Sequence, residues 1–313
     1  SMYQQVLDYS WASADYALYQ KAMLTGINNS KIKIEQLTTL QRLYPRSLLV
    51  PDANMEIAKT YMADEQFQAA IPFLNNVINA PQNTGFKQNA LLQLGVSYYN
   101  LNRNADALSN YQQLIQQYPQ SAEADDALDN IKNIYVEDGR PNEYVELMRK
   151  NGKNISVSEA DSLTYTAAEI KYNNNDCAAA IAGFNNYLSQ YPSGAFALEA
   201  NFFRGECYSK SKDWTNALNS YGYVSDKGLS KYFERATLAA ARIAYFEIKD
   251  YTNAKKYFTA LMAGAINQEN QLEALRGLVR SFYQLKDYEQ ANEVAKELLA
   301  KKGISTDDKL SLI

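Results

Sequence analysis

The chain has 313 residues and a mass of 35.3 kDa, ample for a large buried core. Its net charge of −4, without a basic block, excludes an extended nucleic-acid-binding surface. It has no histidine, which removes the commonest general base and the commonest metal ligand together.

No apolar run approaches the ~20 residues needed to cross a bilayer, and glycine (13) and proline (7) are scarce enough to favour helix throughout. Ser1-Met2 reads as a tag remnant, so a leader or a lipid-attachment cysteine is expected to have been removed. Around Ala14, SWASADYALYQKAMLTG reads as a helix and KIKIEQLTTLQRLYP as a second. Lys33 stands where later pairs carry alanine, but Leu37, Leu40 and Tyr44-Pro45 hold the register. A second pair opens at Pro51 and a third at Gln88.

The third pair, Gln88 to Ser121, is the clearest. Leu91, Leu94 and Tyr98 recur at helical spacing, and Ala107, Tyr111 and Leu114 form the matching stripe of a second helix that Pro119 ends. Gly95 and Ala107 are small where a larger side chain would hold the two helices apart. A weaker pair opens at Asp125, with Ile131 and Tyr135 on its first helix and Tyr144 in the alanine position. Its turn, Glu137-Asp138-Gly139-Arg140-Pro141, carries strong breaker signals. Asn151-Gly152-Lys153-Asn154 then interrupts the pattern, and Ser156 with Glu159 makes a capping-box start for the next helix. From there the register resumes at Asp161, Leu198, Arg235 and Leu272. The expectation is one array, 1–313, of about eight helical pairs. Two are degenerate, near 14–45 and 125–155, and the best candidate for an internal joint is 149–158.

The recurrence is regular. Alanines at the helix contact lie at Ala70, Ala107, Ala180, Ala217, Ala254 and Ala291. Four residues beyond each stand Leu74, Tyr111, Phe184, Tyr221, Phe258 and Ala295, five of them bulky. Tyr-Pro closes second helices at Tyr44-Pro45, Tyr118-Pro119 and Tyr191-Pro192. The pattern Leu91-x2-Leu94-Gly95-x2-Tyr98, then Ala107-x3-Tyr111, then Pro119, resembles a tetratricopeptide repeat, with Leu91 where the signature has tryptophan. The resemblance implies an all-α solenoid, a right-handed superhelix of antiparallel helix pairs, in which no pair covers its own apolar face alone.

Other motifs read as structure. Glu123, Asp125, Asp126 and Asp129 suggest a cation site or paired carboxylates, but they open a helix, where negative charge complements the dipole. Asn173-Asn174-Asn175-Asp176 lacks the glycine and distal glutamate of a calcium loop and reads as a turn. Cys177 fills the position of Phe67, Trp214, Tyr251 and Tyr288, and Cys207 lies on a packing face. Both read as small core residues; a disulfide between them stays open. Two cysteines alone cannot bind zinc, so no metal and no cofactor is expected.

In tetratricopeptide repeats the first helices line a concave face that takes extended peptides or partner helices. Carried over, the resemblance implies a groove that includes Tyr99, Tyr165, Glu169, Tyr172, Phe202, Glu206, Phe246, Arg276, Arg280 and Tyr283. Tyr165, Tyr172 and Phe202 are then expected to be partly exposed and contiguous across two adjacent repeats. The chaperone-tail class is disfavoured, because its clamp positions hold Leu92, Val96, Asp129 and Asn133. The Tyr-Pro endings, as in Gln117-Tyr118-Pro119-Gln120-Ser121, are similar to those of periplasmic and outer-membrane-associated repeat proteins of Gram-negative bacteria. The expected function is a non-catalytic scaffold for a protein or peptide partner in the bacterial cell envelope. The alternative is an accessory module of glycan or nutrient uptake that stacks sugars on aromatics. Ser305 with Asp308, ahead of Lys309-Leu310-Ser311-Leu312-Ile313, is expected to begin a further first helix, as if the array continued.

Overall fold

A computed structural model describes residues 3–5, 13–81 and 85–301. The expected helix start at Ser305 lies outside the described residues. Among the described residues there are sixteen α-helices of ten residues or more, one π-helical segment and no strand. Contacts divide the chain into two compact units, residues 1–134 and 135–313. The segment 149–158 lies within the second.

Unit 1 contains α1 (Ala14–Thr25), α2 (Ser30–Leu43), α3 (Val50–Ala63), α4 (Phe67–Ile78), α5 (Lys87–Asn100) and α6 (Asn104–Gln117). The helix α7 (Ala122–Glu137) spans the boundary. Leu18, Ala22, Leu37, Leu40, Ala53 and Ile57 form one cluster, and Met55, Ala58, Ala70, Leu74, Val77 and Leu94 form the next. Helix α3 contributes to both, so each first helix closes the pair before it and opens its own. At Gly95 the close approach is real, since a Cβ there would overlap the Tyr111 ring.

Unit 2 contains α8 (Pro141–Lys150), α9 (Val157–Asn173), α10 (Cys177–Gln190), α11 (Ala197–Lys210), α12 (Trp214–Asp226) and α13 (Phe233–Arg242). A π-helical segment, Ile243–Ile248, continues α13; α14 (Tyr251–Gly264), α15 (Gln268–Gln284) and α16 (Tyr288–Ala300) follow. Ser156 caps α9, its Oγ accepting from the Glu159 N–H at 3.1 Å. All six contact alanines are buried, and so are the six residues four positions on. Tyr44, Tyr118 and Tyr191 are the C-caps of α2, α6 and α10, each donating its N–H to the carbonyl four residues back at 2.8 Å. Proline follows each because it cannot continue the helix.

The turn inside each pair repeats at atomic detail. Glu65, Asn102, Gly139, Asn175, Lys212, Lys249 and Lys286 all have positive φ, between 56° and 79°. The N–H of the next residue bonds the carbonyl five back, as in Gln66 to Tyr61, Arg103 to Tyr98 and Asp213 to Tyr208. Asp250 is the exception and reaches six back, to Ala244. That extra residue is the π segment.

The insertion explains a departure from the expected register. In α11 the buried positions are Ala197, Ala200, Asn201, Phe202, Gly205 and Cys207. In α13 Phe233, Ala236, Thr237 and Ala241 repeat four of these one residue early, beside the buried Ala240; at Ala244 the 37-residue spacing returns. Arg235, placed by sequence beside Leu198 and Leu272, is therefore exposed, whereas Leu272 is buried. The spacing from Val224 to Phe233 is one residue shorter than that from Tyr187 to Ala197, and one residue more at the end of α13 compensates for it.

Candidate functional site

In unit 2 the first helices α9, α11, α13 and α15 carry the candidate residues on successive repeats. Two levels emerge. In the first, α9, α11 and α13 interlock through polar contacts over an aromatic core. The Tyr165 hydroxyl donates to Glu169 Oε1 at 2.8 Å, and its ring stacks on Phe196 at 4.5 Å. The Tyr172 hydroxyl donates to Glu206 Oε2, and the other Glu206 oxygen takes Arg235 at 2.6 Å. Glu206 thus ties three consecutive first helices together. Arg235 also lies over the Phe202 ring at 4.8 Å, and Tyr232 stacks on the same ring at 4.5 Å.

This overturns part of the expectation. Tyr165 and Phe202 are 4% and 1% exposed, so they belong to the core and offer no platform. Tyr172 is half-buried. Contiguity does hold, since Tyr165, Phe184, Phe203 and Phe202 form an unbroken chain of ring contacts that Tyr172 joins at Phe203. The physical cause is the rotated α13: it carries Arg235 and Tyr232 across Phe202 and seals it. Sequence reading passed over both residues. The signal that points to them is the shorter spacing between the Val224 and Phe233 core positions than between Tyr187 and Ala197.

Burial, then the Glu206 hydrogen bond, pushes the Tyr172 hydroxyl up to about 12 from an ordinary 10.0. Burial and Glu169 likewise raise Tyr165. Both are held as neutral donors at physiological pH.

The second level is open. Phe246 is 50% exposed and Tyr283, 37 residues on, is 61% exposed. Phe246 meets Tyr245 edge-on at 4.8 Å, and Tyr283 meets the exposed Tyr288 at 5.5 Å. Arg280 is exposed and has no hydrogen-bond or ion-pair partner among the described residues. Arg276 differs: it is half-buried, with Glu269 at 3.0 Å and Glu273 at 3.8 Å. Tyr99 lies in unit 1, half-buried on α5.

Cys177 and Cys207 are joined by a disulfide, with Cα atoms 5.1 Å apart. It links the start of α10 to the middle of α11, next to Glu206. Reading the pair as merely small core residues missed the bond; Cys177 sits at the aromatic position that opens a second helix, directly against the following first helix. The acidic residues at 123–129 belong to the opening turns of α7, and no group of ligating side chains able to hold a metal occurs among the described residues. Asn175 is the positive-φ turn residue, and Asp176 caps α10.

Residues 89–121 match the family model described as "Tetratricopeptide repeat". No curated protein sequence matches the chain. Among solved structures, a tetratricopeptide repeat protein from Parabacteroides merdae is similar at 15% identity and a TM-score of 0.40, over 85% of this chain and 99% of that one. The C-terminal part of a TPR repeat-containing protein from Cytophaga hutchinsonii is 16% identical, with a TM-score of 0.37, over 94% and 99%. PilF of Pseudomonas aeruginosa is 15% identical, with a TM-score of 0.31, over 71% and 95%. Repeats of this family typically mediate protein–protein interaction. Residues 89–121 are thus a tetratricopeptide repeat, and the geometry of its turn recurs from α3 to α16.

Proposed function

We propose that the protein is a non-catalytic scaffold that binds a protein or peptide partner on the first-helix face of unit 2, in the envelope of a bacterium. The observation that carries the reading is the open level formed by Phe246, Arg280 and Tyr283. Two exposed aromatic rings at equivalent repeat positions, with an unengaged guanidinium, are the residue types that dominate binding energy at protein interfaces. The sealed level of Tyr165, Tyr172, Phe202 and Glu206 holds the helices that present them. A chain without histidine lacks the usual acid–base residue, which supports a binding role over a catalytic one.

The Cys177–Cys207 disulfide supports the envelope setting, because such bonds persist in oxidising compartments. Mass spectrometry of the protein isolated from its host under thiol-blocking conditions tests this; free thiols at both positions would count against it.

A photo-crosslinker at position 283 tests the face. It is expected to trap one defined partner that a crosslinker at the exposed Leu229 does not trap, and capture should fall at least tenfold with Arg280→Ala or Phe246→Ala. Equal capture from both positions would defeat the assignment.

A further inference from the structure

Unit 1 has a polar cleft that the partner-binding face does not use. It encloses about 440 Å³ between the end of α2, the connection to α3, the start of α3 and the end of α4. Its polar lining is Gln41, Arg46, Ser47, Asn54, Asn76 and Asn79. The remaining wall is formed by Pro45, Val50, Pro51, Ala80 and Pro81. The volume lies within the range of small-molecule sites, and three prolines stiffen the backbone around it.

The chemistry of this lining is selective. Among the described residues no carboxylate lines the cleft, and Arg46 is the only charged side chain there. Arg46 is exposed and has no ion pair among the described residues. Asp15 Oδ2 accepts from Ser47 Oγ at 2.6 Å. Four side-chain amides supply donors and acceptors together, the pairing that a peptide-type amide satisfies. Asn54 is held in place, its Nδ2 donating to the Val50 carbonyl at 2.9 Å and its Oδ1 accepting from Asn76 Nδ2 at 3.4 Å. Asn76 and Asn79 are exposed to the cleft. Among the described residues no aromatic ring lines the cleft.

We propose that this cleft binds a carboxylate carried on an amide, the chemistry shared by the C-terminal residue of a peptide and a free N-acyl amino acid. Arg46 pairs with the carboxylate, and Asn76 and Asn79 bridge the amide.

Titration calorimetry on the full chain tests the site with N-acetyl-alanyl-alanine, N-acetyl-alanine, the C-terminal amide of the first probe, and glucose. Binding of the first probe is expected, weakened at least tenfold by amidation and by Arg46→Gln. If N-acetyl-alanine binds equally well, the ligand is a free acyl amino acid; if only the dipeptide binds, it is a peptide end. Asn79→Leu nearly keeps the side chain's size but removes an exposed amide of the lining. It should bind at least tenfold more weakly while melting no lower than the parent, a result that misfolding cannot produce. Failure of every probe to bind at millimolar concentration, glucose binding alone, or equal affinity for acid and amide would overturn the proposal. None of these outcomes bears on the Phe246–Tyr283 face.

Discussion

The turns inside the helix pairs differ between the two units, although their backbone is the same. Both use a residue of positive φ, Glu65 and Asn102 in unit 1, and Gly139, Asn175, Lys212, Lys249 and Lys286 in unit 2; Arg140, after Gly139, makes no side-chain cap. In unit 2 the next residue is aspartate four times: Asp176, Asp213, Asp250 and Asp287 each accept an N–H three residues on, at 3.0–3.3 Å. In unit 1 that position holds Gln66 and Arg103, which make no side-chain cap. Arg103 instead lies over Tyr98 at 4.6 Å and pairs with Asp106 at 2.8 Å. Closure of the helix pair therefore dictates the turn, and the side chain adds stability to a geometry already imposed.

The disulfide gives the largest separation between the units. It closes a 30-residue span within unit 2, so its loss should cost about 3–4 kcal/mol in the loop-entropy account. Cys207→Ser is expected to lower hydrogen-exchange protection across α9–α12 while leaving α1–α5 as they were. An equal loss in both units would show that they unfold as one.

Gly95→Ala in unit 1 should cost about 1–3 kcal/mol, since the added Cβ overlaps Tyr111. Gly205 faces Tyr221 at 2.9 Å, a somewhat wider approach, so the same change there should cost less. Urea denaturation of the two variants ranks them; the reverse order would mean that the two pairs are packed alike.

Caps come next. Asp250→Ala should lose about 1 kcal/mol, whereas Gln66→Asp should gain about 0.5–1 kcal/mol by giving unit 1 what unit 2 already has. The smallest effect is at the positive-φ lysines. Lys249→Gly should gain under about 1 kcal/mol, and Asn102→Gly less, because asparagine tolerates the left-handed region better. A loss at Lys249 would mean that its side chain holds the π segment.

Alkaline pH offers an independent check. Tyr172 is raised to about 12 from 10.0, so above pH 10 the unfolded chain releases protons that the folded chain keeps. Stability present below pH 10 should therefore decline as pH rises towards 12. Tyr172→Phe should flatten that decline; an unchanged slope would remove the Tyr172–Glu206 bond from the account.

The regular parts of the molecule were legible because they follow from local chemistry. Ala180 and Phe184 recur with the period of a helix face, and burial follows directly from that spacing. Ser156 and the Tyr-Pro endings announce helix limits through the hydrogen bonds they make or refuse. The candidate face was only half legible. Inward positions count outward from a constant register, and a shift of one residue rotates α13 by about 100°. Only the shorter spacing from Val224 to Phe233 marks the shift, so Phe202 was expected open and is covered.

The sequence alone therefore determined the helical class, the pairing of helices and the repeat to which 89–121 belongs, since each rests on periodicity within a few turns of chain. Tertiary structure decided which equivalent positions face water. Tyr165 and Phe202 are core, while Phe246 and Tyr283 are open, because Arg235 and Tyr232 arrive over the first group from a different helix. It also decided that Cys177 and Cys207 meet, and that six polar side chains from three helices and their connections line one cleft. These depend on distances between residues far apart in sequence, which spacing along the chain does not encode.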